Sequence, residues 1–93
     1  MSFNGYKNYE TWAFMLYYEE YLYDLLKEQQ EQEEINYSTI YNTVEAFIDE
    51  ISESIDKVEF GYAFVKDILN VSLEEIDIHE VTEHLEHALK EED

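Results

Sequence analysis

Proline is absent from these 93 residues, and glycine occurs only twice, as Gly5 and Gly61. Few turns are therefore punctuated by backbone specialists, which favours helices joined by short polar loops. The apolar spacing agrees. Ile40, Val44, Phe47, Ile48, Ile51 and Ile55 recur with a 3.6-residue period and predict a helix over about 37–57, with Glu45, Asp49, Glu53 and Asp56 on its opposite side. Asn36 or Ser38 suits its N-cap.

The remaining elements follow from the same rules. Residues 1–8 read as an irregular or hairpin-like lead-in. Asn8 is placed to cap a first helix over about 9–33, on which Trp12, Met15, Leu16, Leu22, Leu25 and Leu26 form an apolar stripe. Phe14, Tyr17, Tyr18, Tyr21 and Tyr23 widen that stripe around most of the circumference, so this helix is expected to be central. Its polar end, Lys27 to Glu34, is expected to project into water. A third helix over about 60–71 carries Phe60, Phe64, Val65, Ile68 and Leu69, and Ser72 to Glu75 read as a short turn. Asp77 and Glu80 have the spacing of a capping box for a fourth helix over about 78–91, which buries Ile78, Val81, Leu85, Ala88 and Leu89. Only Val58–Tyr62 is ambiguous between helix and strand. The expectation is an all-α fold: a small, compact four-helix bundle forming a single acidic domain over residues 1–93.

Charge then narrows function. Twenty-four Asp and Glu face five Lys and no Arg, for a formal net charge of −19. With 45% hydrophobic and 16% aromatic residues, this is not the composition of a disordered acidic tail. Excess charge of one sign destabilises a compact state, so its retention in a folded chain asks for a use. Anionic membranes would repel the chain, and direct binding to nucleic acid is disfavoured because affinity for phosphates comes from Lys and Arg. No apolar run approaches the roughly 18 residues of a membrane span, and no segment resembles a signal peptide. Without cysteine there is no disulfide or thiol chemistry, which fits a cytosolic protein.

Catalytic constellations are missing from the pattern. His79, His84 and His87 are interleaved with Glu80, Glu83 and Glu86, but neither H-E-x-x-H nor Glu-x-x-His occurs. A weak metal site around His79, Glu83 and His87 is the low alternative to solvated histidines. No serine sits in a nucleophile-elbow context, no glycine-rich loop could cradle phosphate, and no carboxylate pair stands out among 24 acids. The reading is therefore no enzyme, no metal and no cofactor.

What remains is surface. Glu45, Asp49, Glu50, Glu53 and Asp56 form the first expected partner-binding block, with Glu74, Glu75, Asp77, Glu80 and Glu83 behind them. Like charges at i,i+4 cost a helix a few tenths of a kcal/mol each, and a merely structural surface would alternate them with Lys. Duplex DNA carries one charge per about 1.7 Å, so 19 net charges match about ten base pairs, roughly the length expected of the domain. The leading expectation is a DNA mimic whose partner carries a basic groove. The alternative is a regulatory or assembly module, perhaps a homodimer, that uses the Tyr-rich first helix as its interface and its acids for solubility.

A resemblance supports an origin. Asn4-Gly5-Tyr6-Lys7-Asn8-Tyr9-Glu10-Thr11-Trp12 resembles the G-Y-x-N-Y-E-T-W opening of a family of small phage and mobile-element proteins. Val65 to Leu69, followed by Ile78 to Leu85, is similar to that family's closing segment, although Ile78 stands where the family often has a second Trp. The family has no agreed activity. Membership implies a phage or mobile-element origin, and acidic phage proteins include anti-CRISPR and anti-restriction DNA mimics. Taken together with the acidic surface, that origin makes the expected function an inhibitor of a host CRISPR effector nuclease, with a restriction enzyme as the next target.

Overall fold

The computed structural model describes residues 3–57 and 63–91. Four helices make up the fold: α1 (Tyr9–Gln32), α2 (Tyr37–Asp56), α3 (Ala63–Glu74) and α4 (Ile78–Glu91). The protein is a small all-α four-helix domain. None of the described helices is long and apolar enough to cross a membrane. Val58–Tyr62, the ambiguous stretch, and Phe60 within it lie outside the described residues.

Helix α4 is the hub, because α1 and α2 both pack against it. Its i,i+4 ladder of Val81, Leu85 and Leu89 is buried. Phe14, Met15, Leu22 and Leu26 come in from α1, and Ile40, Val44 and Ile48 from α2, with Ile76 closing the core from the α3–α4 link. An aromatic seam joins α1 to α2: the Phe47 ring lies 5.0 Å from that of Tyr18, edge-on, and 6.1 Å from that of Phe14.

Helix starts follow the expected chemistry. Asn8 Oδ1 accepts from Thr11 N at 2.9 Å, and Asn36 forms a capping box with Thr39. The Asp77 box is half formed. Asp77 Oδ1 accepts from Glu80 N at 3.1 Å, but Asp77 N donates to the buried Thr11 Oγ1 at 3.0 Å, and Glu80 Oε1 accepts instead from Lys7 N at 2.8 Å.

These exchanged partners reveal what the N-terminal motif does structurally. Asn4 and Gly5 both have positive φ, 48° and 90°, the requirement that Asn-Gly meets in a two-residue hairpin turn. Phe3 and Tyr6 exchange backbone hydrogen bonds of 2.6 and 2.8 Å across it. The chain then threads along the α3–α4 junction. Tyr6 packs on the His84 ring at 4.6 Å, Lys7 Nζ lies 3.7 Å from Asp77 Oδ2, and Asn8 Nδ2 donates to the Glu75 carbonyl at 2.7 Å. Asn8 therefore caps α1 and ties it to α4's entry. Asn8→Ala is expected to cost about 1–2 kcal/mol, measured as a lower urea midpoint at unchanged m-value.

The structure corrects the sequence reading in three places. Helix α3 continues through Ser72 to Glu74, where a separate turn was expected. More importantly, α3 buries none of its residues: Phe64, Val65, Ile68, Leu69 and Val71 are all exposed. It packs on α2 and is tied there by polar bonds, Ser52 Oγ to Asn70 Oδ1 at 3.2 Å and Lys66 Nζ to the Asp56 carbonyl at 3.1 Å. Helix α1 is likewise not surrounded. Leu16, Tyr17, Tyr21 and Leu25 face solvent, with Tyr17 76% exposed.

Candidate functional site

Helix α2 turns its acidic side outward because its apolar ridge, Ile40, Val44 and Ile48, is committed to the core. Glu45, Asp49 and Glu53 then form an exposed ladder with one step per helical turn, about 6 Å along the axis. Glu50 is exposed on an adjoining face. Among the described residues, no hydrogen bond or ion pair engages the carboxylates of Glu45, Asp49, Glu50 or Glu53. Four like charges on one helix thus stand without a compensating lysine.

Three of the ten expected residues converge on one groove. Glu45 and Asp49 of α2 face Glu74 at the end of α3 across a depression of about 460 Å³, floored by Ile48, Leu73 and Ile76. The others are dispersed. Glu75 is exposed beside Asp77, His79 and Lys7. Glu80 and Glu83 sit with His84 and His87 on the outer face of α4. Asp56, Asp77 and Glu80 already serve the fold: Asp56 Oδ1 accepts from Asn70 Nδ2 at 3.3 Å, while Asp77 and Glu80 hold the N-terminal segment.

The histidines have local partners. His79 Nε2 lies 3.2 Å from Glu83 Oε1, and its Nδ1 is hydrogen-bonded to the Tyr37 hydroxyl. An Nε2–H donated to Glu83 leaves Nδ1 to accept from the phenol. His87 Nε2 pairs with Glu91 Oε1 at 3.0 Å. Among the described residues no three His, Asp or Glu side chains converge as a metal site would require.

Charge also marks the tyrosines at this end. Partial burial raises the Tyr6 phenol above the ordinary tyrosine range, and the Glu19 and Glu80 carboxylates push it further. Tyr37 is raised too, by loss of solvent contact and then by Glu83, Tyr41, Asp77 and Glu86. A phenol raised on folding contributes stability that is full below its unfolded value of about 10 and is lost as pH rises through the folded value. Between about pH 9 and pH 11 the urea midpoint should fall, and the fall should be smaller in a Tyr6→Phe, Tyr37→Phe variant.

The described domain measures 49 × 33 × 19 Å. Duplex of that longest dimension would carry about 29 charges, against 19 net charges here. The domain is thus longer than the ten base pairs expected from its charge, and its mean charge density is at most about two thirds that of duplex.

The sequence reading offered the Tyr-rich face of α1 as an alternative interface but missed that α3 joins it. Tyr9, Ala13 and Tyr17 of α1 face Leu69 and Leu73 of α3 across an apolar groove of about 350 Å³. The signal was available: Phe64, Val65, Ile68, Leu69, Val71 and Leu73 cover too much of α3's circumference for one docking face.

A protein-family model, described as a family of unknown function, matches residues 1–92. No curated protein and no solved structure matches the chain.

Proposed function

The chain belongs to DUF7249, a family of unknown function, and from that footing we propose a non-enzymatic, phage-type inhibitor that mimics DNA and occupies the basic channel of a host defence nuclease. A CRISPR effector is the first target and a restriction enzyme the next. The observation that carries this reading is the unengaged ladder of Glu45, Asp49 and Glu53 on the outer face of α2, joined across a groove by Glu74.

The physics is direct. Such nucleases hold phosphates with Lys and Arg and read short adjacent motifs with Arg. Carboxylates accept from guanidinium in the same two-pronged geometry as phosphate oxygens. A helix holds its carboxylates at fixed spacing, so little order is lost on binding. Association should be fast and should weaken with salt. The test is capture of partners from a bacterial lysate by the tagged protein at low salt, followed by stepwise elution. A basic nucleic-acid-binding protein released at moderate salt supports the reading; recovery of only partners without a basic groove counts against it.

Exposure of Tyr17 and Tyr21 on α1 favours a second reading, a self-assembling regulatory module. Sedimentation distinguishes them, because a module of that kind would form a dimer that Tyr17→Ala disrupts.

A further inference from the structure

The groove between α1 and α3 shares Leu73 and Ile76 with the acidic groove but none of its carboxylates, and it asks for a different kind of occupant. Helix α3 rests on α2, and α1 rests on α4, so the two do not close on each other. Phe14, Leu73 and Ile76 floor the gap between them, with Tyr17 and Leu69 as its walls. Tyr17 is 76% exposed and Leu69 43%, and the apolar surface continues along α3 through Ile68 and Val65. An exposed, continuous apolar surface of this kind marks an interaction site.

Charge decides what covers it. A second copy would bring a further −19 to the interface, and large net charge of one sign keeps proteins apart. Glu10 lines the groove itself. A partner with basic flanks gains from the same field that repels a second copy. The lining suits a helix-in-groove site: one wall runs from Tyr9 to Tyr18 along α1, about three turns, the other from Leu69 to Leu73 on α3, with tyrosine as a rigid anchor.

We propose that this groove binds a cationic amphipathic helix of a partner protein, about three turns long, with its apolar stripe between α1 and α3 and its Lys and Arg toward solvent. Tyr17 and Leu69 are the anchoring contacts.

The test uses a labelled synthetic Leu/Lys amphipathic helix and a scrambled peptide of the same composition, titrated into the full chain. In about 0.5 M salt, where pure charge attraction is screened, the amphipathic peptide should bind at least about tenfold more tightly than the scrambled one. Tyr17→Asp and Leu69→Asp should each weaken that binding at least about tenfold at unchanged circular dichroism. Asp49→Lys with Glu53→Lys should leave it within about twofold in the same salt, which separates this site from the acidic ladder. In the native protein, peptide-induced amide shifts should cluster on α1 and α3. Equal binding of the scrambled peptide, unaffected groove variants, shifts confined to α2, or a native dimer broken by Tyr17→Asp would each overturn the proposal.

Discussion

Asp49→Lys combined with Glu53→Lys is expected to weaken binding to a basic-channel nuclease by at least about 100-fold, since truncating one partner of a buried charge pair alone costs about 2–5 kcal/mol. Reversal does more than remove two attractive charges, because it sets lysine against lysine and arginine in the target. The fold should not suffer. Both residues are exposed and neither carboxylate is engaged within the protein. A lysine at position 49 also meets Glu45 one turn back, replacing an i,i+4 repulsion with an attraction in the favourable order, worth a few tenths of a kcal/mol. At position 53 the lysine meets Lys57 one turn on and trades an attraction for a repulsion of similar size, so the melting temperature should hold as binding is lost. Undiminished inhibition by the folded variant would remove α2 from the interface.

The largest expected stability effect lies in α4. Leu85 is fully buried in the hub helix, between the Val81 and Leu89 turns. Leu85→Ala removes apolar burial and leaves a cavity that helices on two sides cannot easily fill, at a cost of about 2–5 kcal/mol. For a domain of this size, total stability is of order 5–15 kcal/mol, so the melting temperature should fall by about 10–40 °C. Tyr17→Ala, at an exposed position, should change stability by no more than about 0.5 kcal/mol. Comparable losses at the two positions would mean that the core has been misplaced.

The periodicity of α2 and α4 made their inner faces legible, because each buries a single apolar stripe and keeps a polar side outward: Ile40, Val44 and Ile48 on one, Val81, Leu85 and Leu89 on the other. Caps at Asn8, Asn36 and Asp77 were legible for a local reason, since each side chain reaches only a few residues ahead. Helix α1 was misread as central: it is apolar around most of its circumference, which implied contact on several sides, whereas a domain of this size has too few neighbours to cover it, and α3, read only as one amphipathic helix of the bundle, is left exposed for the same reason. The site was legible only in part. Spacing along α2 placed Glu45, Asp49 and Glu53 on one face, but the arrival of Glu74 opposite them depends on how α3 packs on α2, which no local pattern encodes. Nor could spacing show that Asp77 and Glu80 are held by Lys7. The Asn-Gly-Tyr-x-Asn opening, legible as a hairpin-like lead-in, a cap and a signature of origin, proves also to be the clasp between the first helix and the entry of the last.

Competition with duplex DNA tests the central claim most directly. A basic-channel nuclease saturated with this protein should be unable to bind its DNA, the two ligands should displace each other, and the protein's affinity should fall by at least about tenfold between 50 and 500 mM salt. A stable ternary complex of nuclease, protein and DNA, or an affinity indifferent to salt, would contradict the mimic reading.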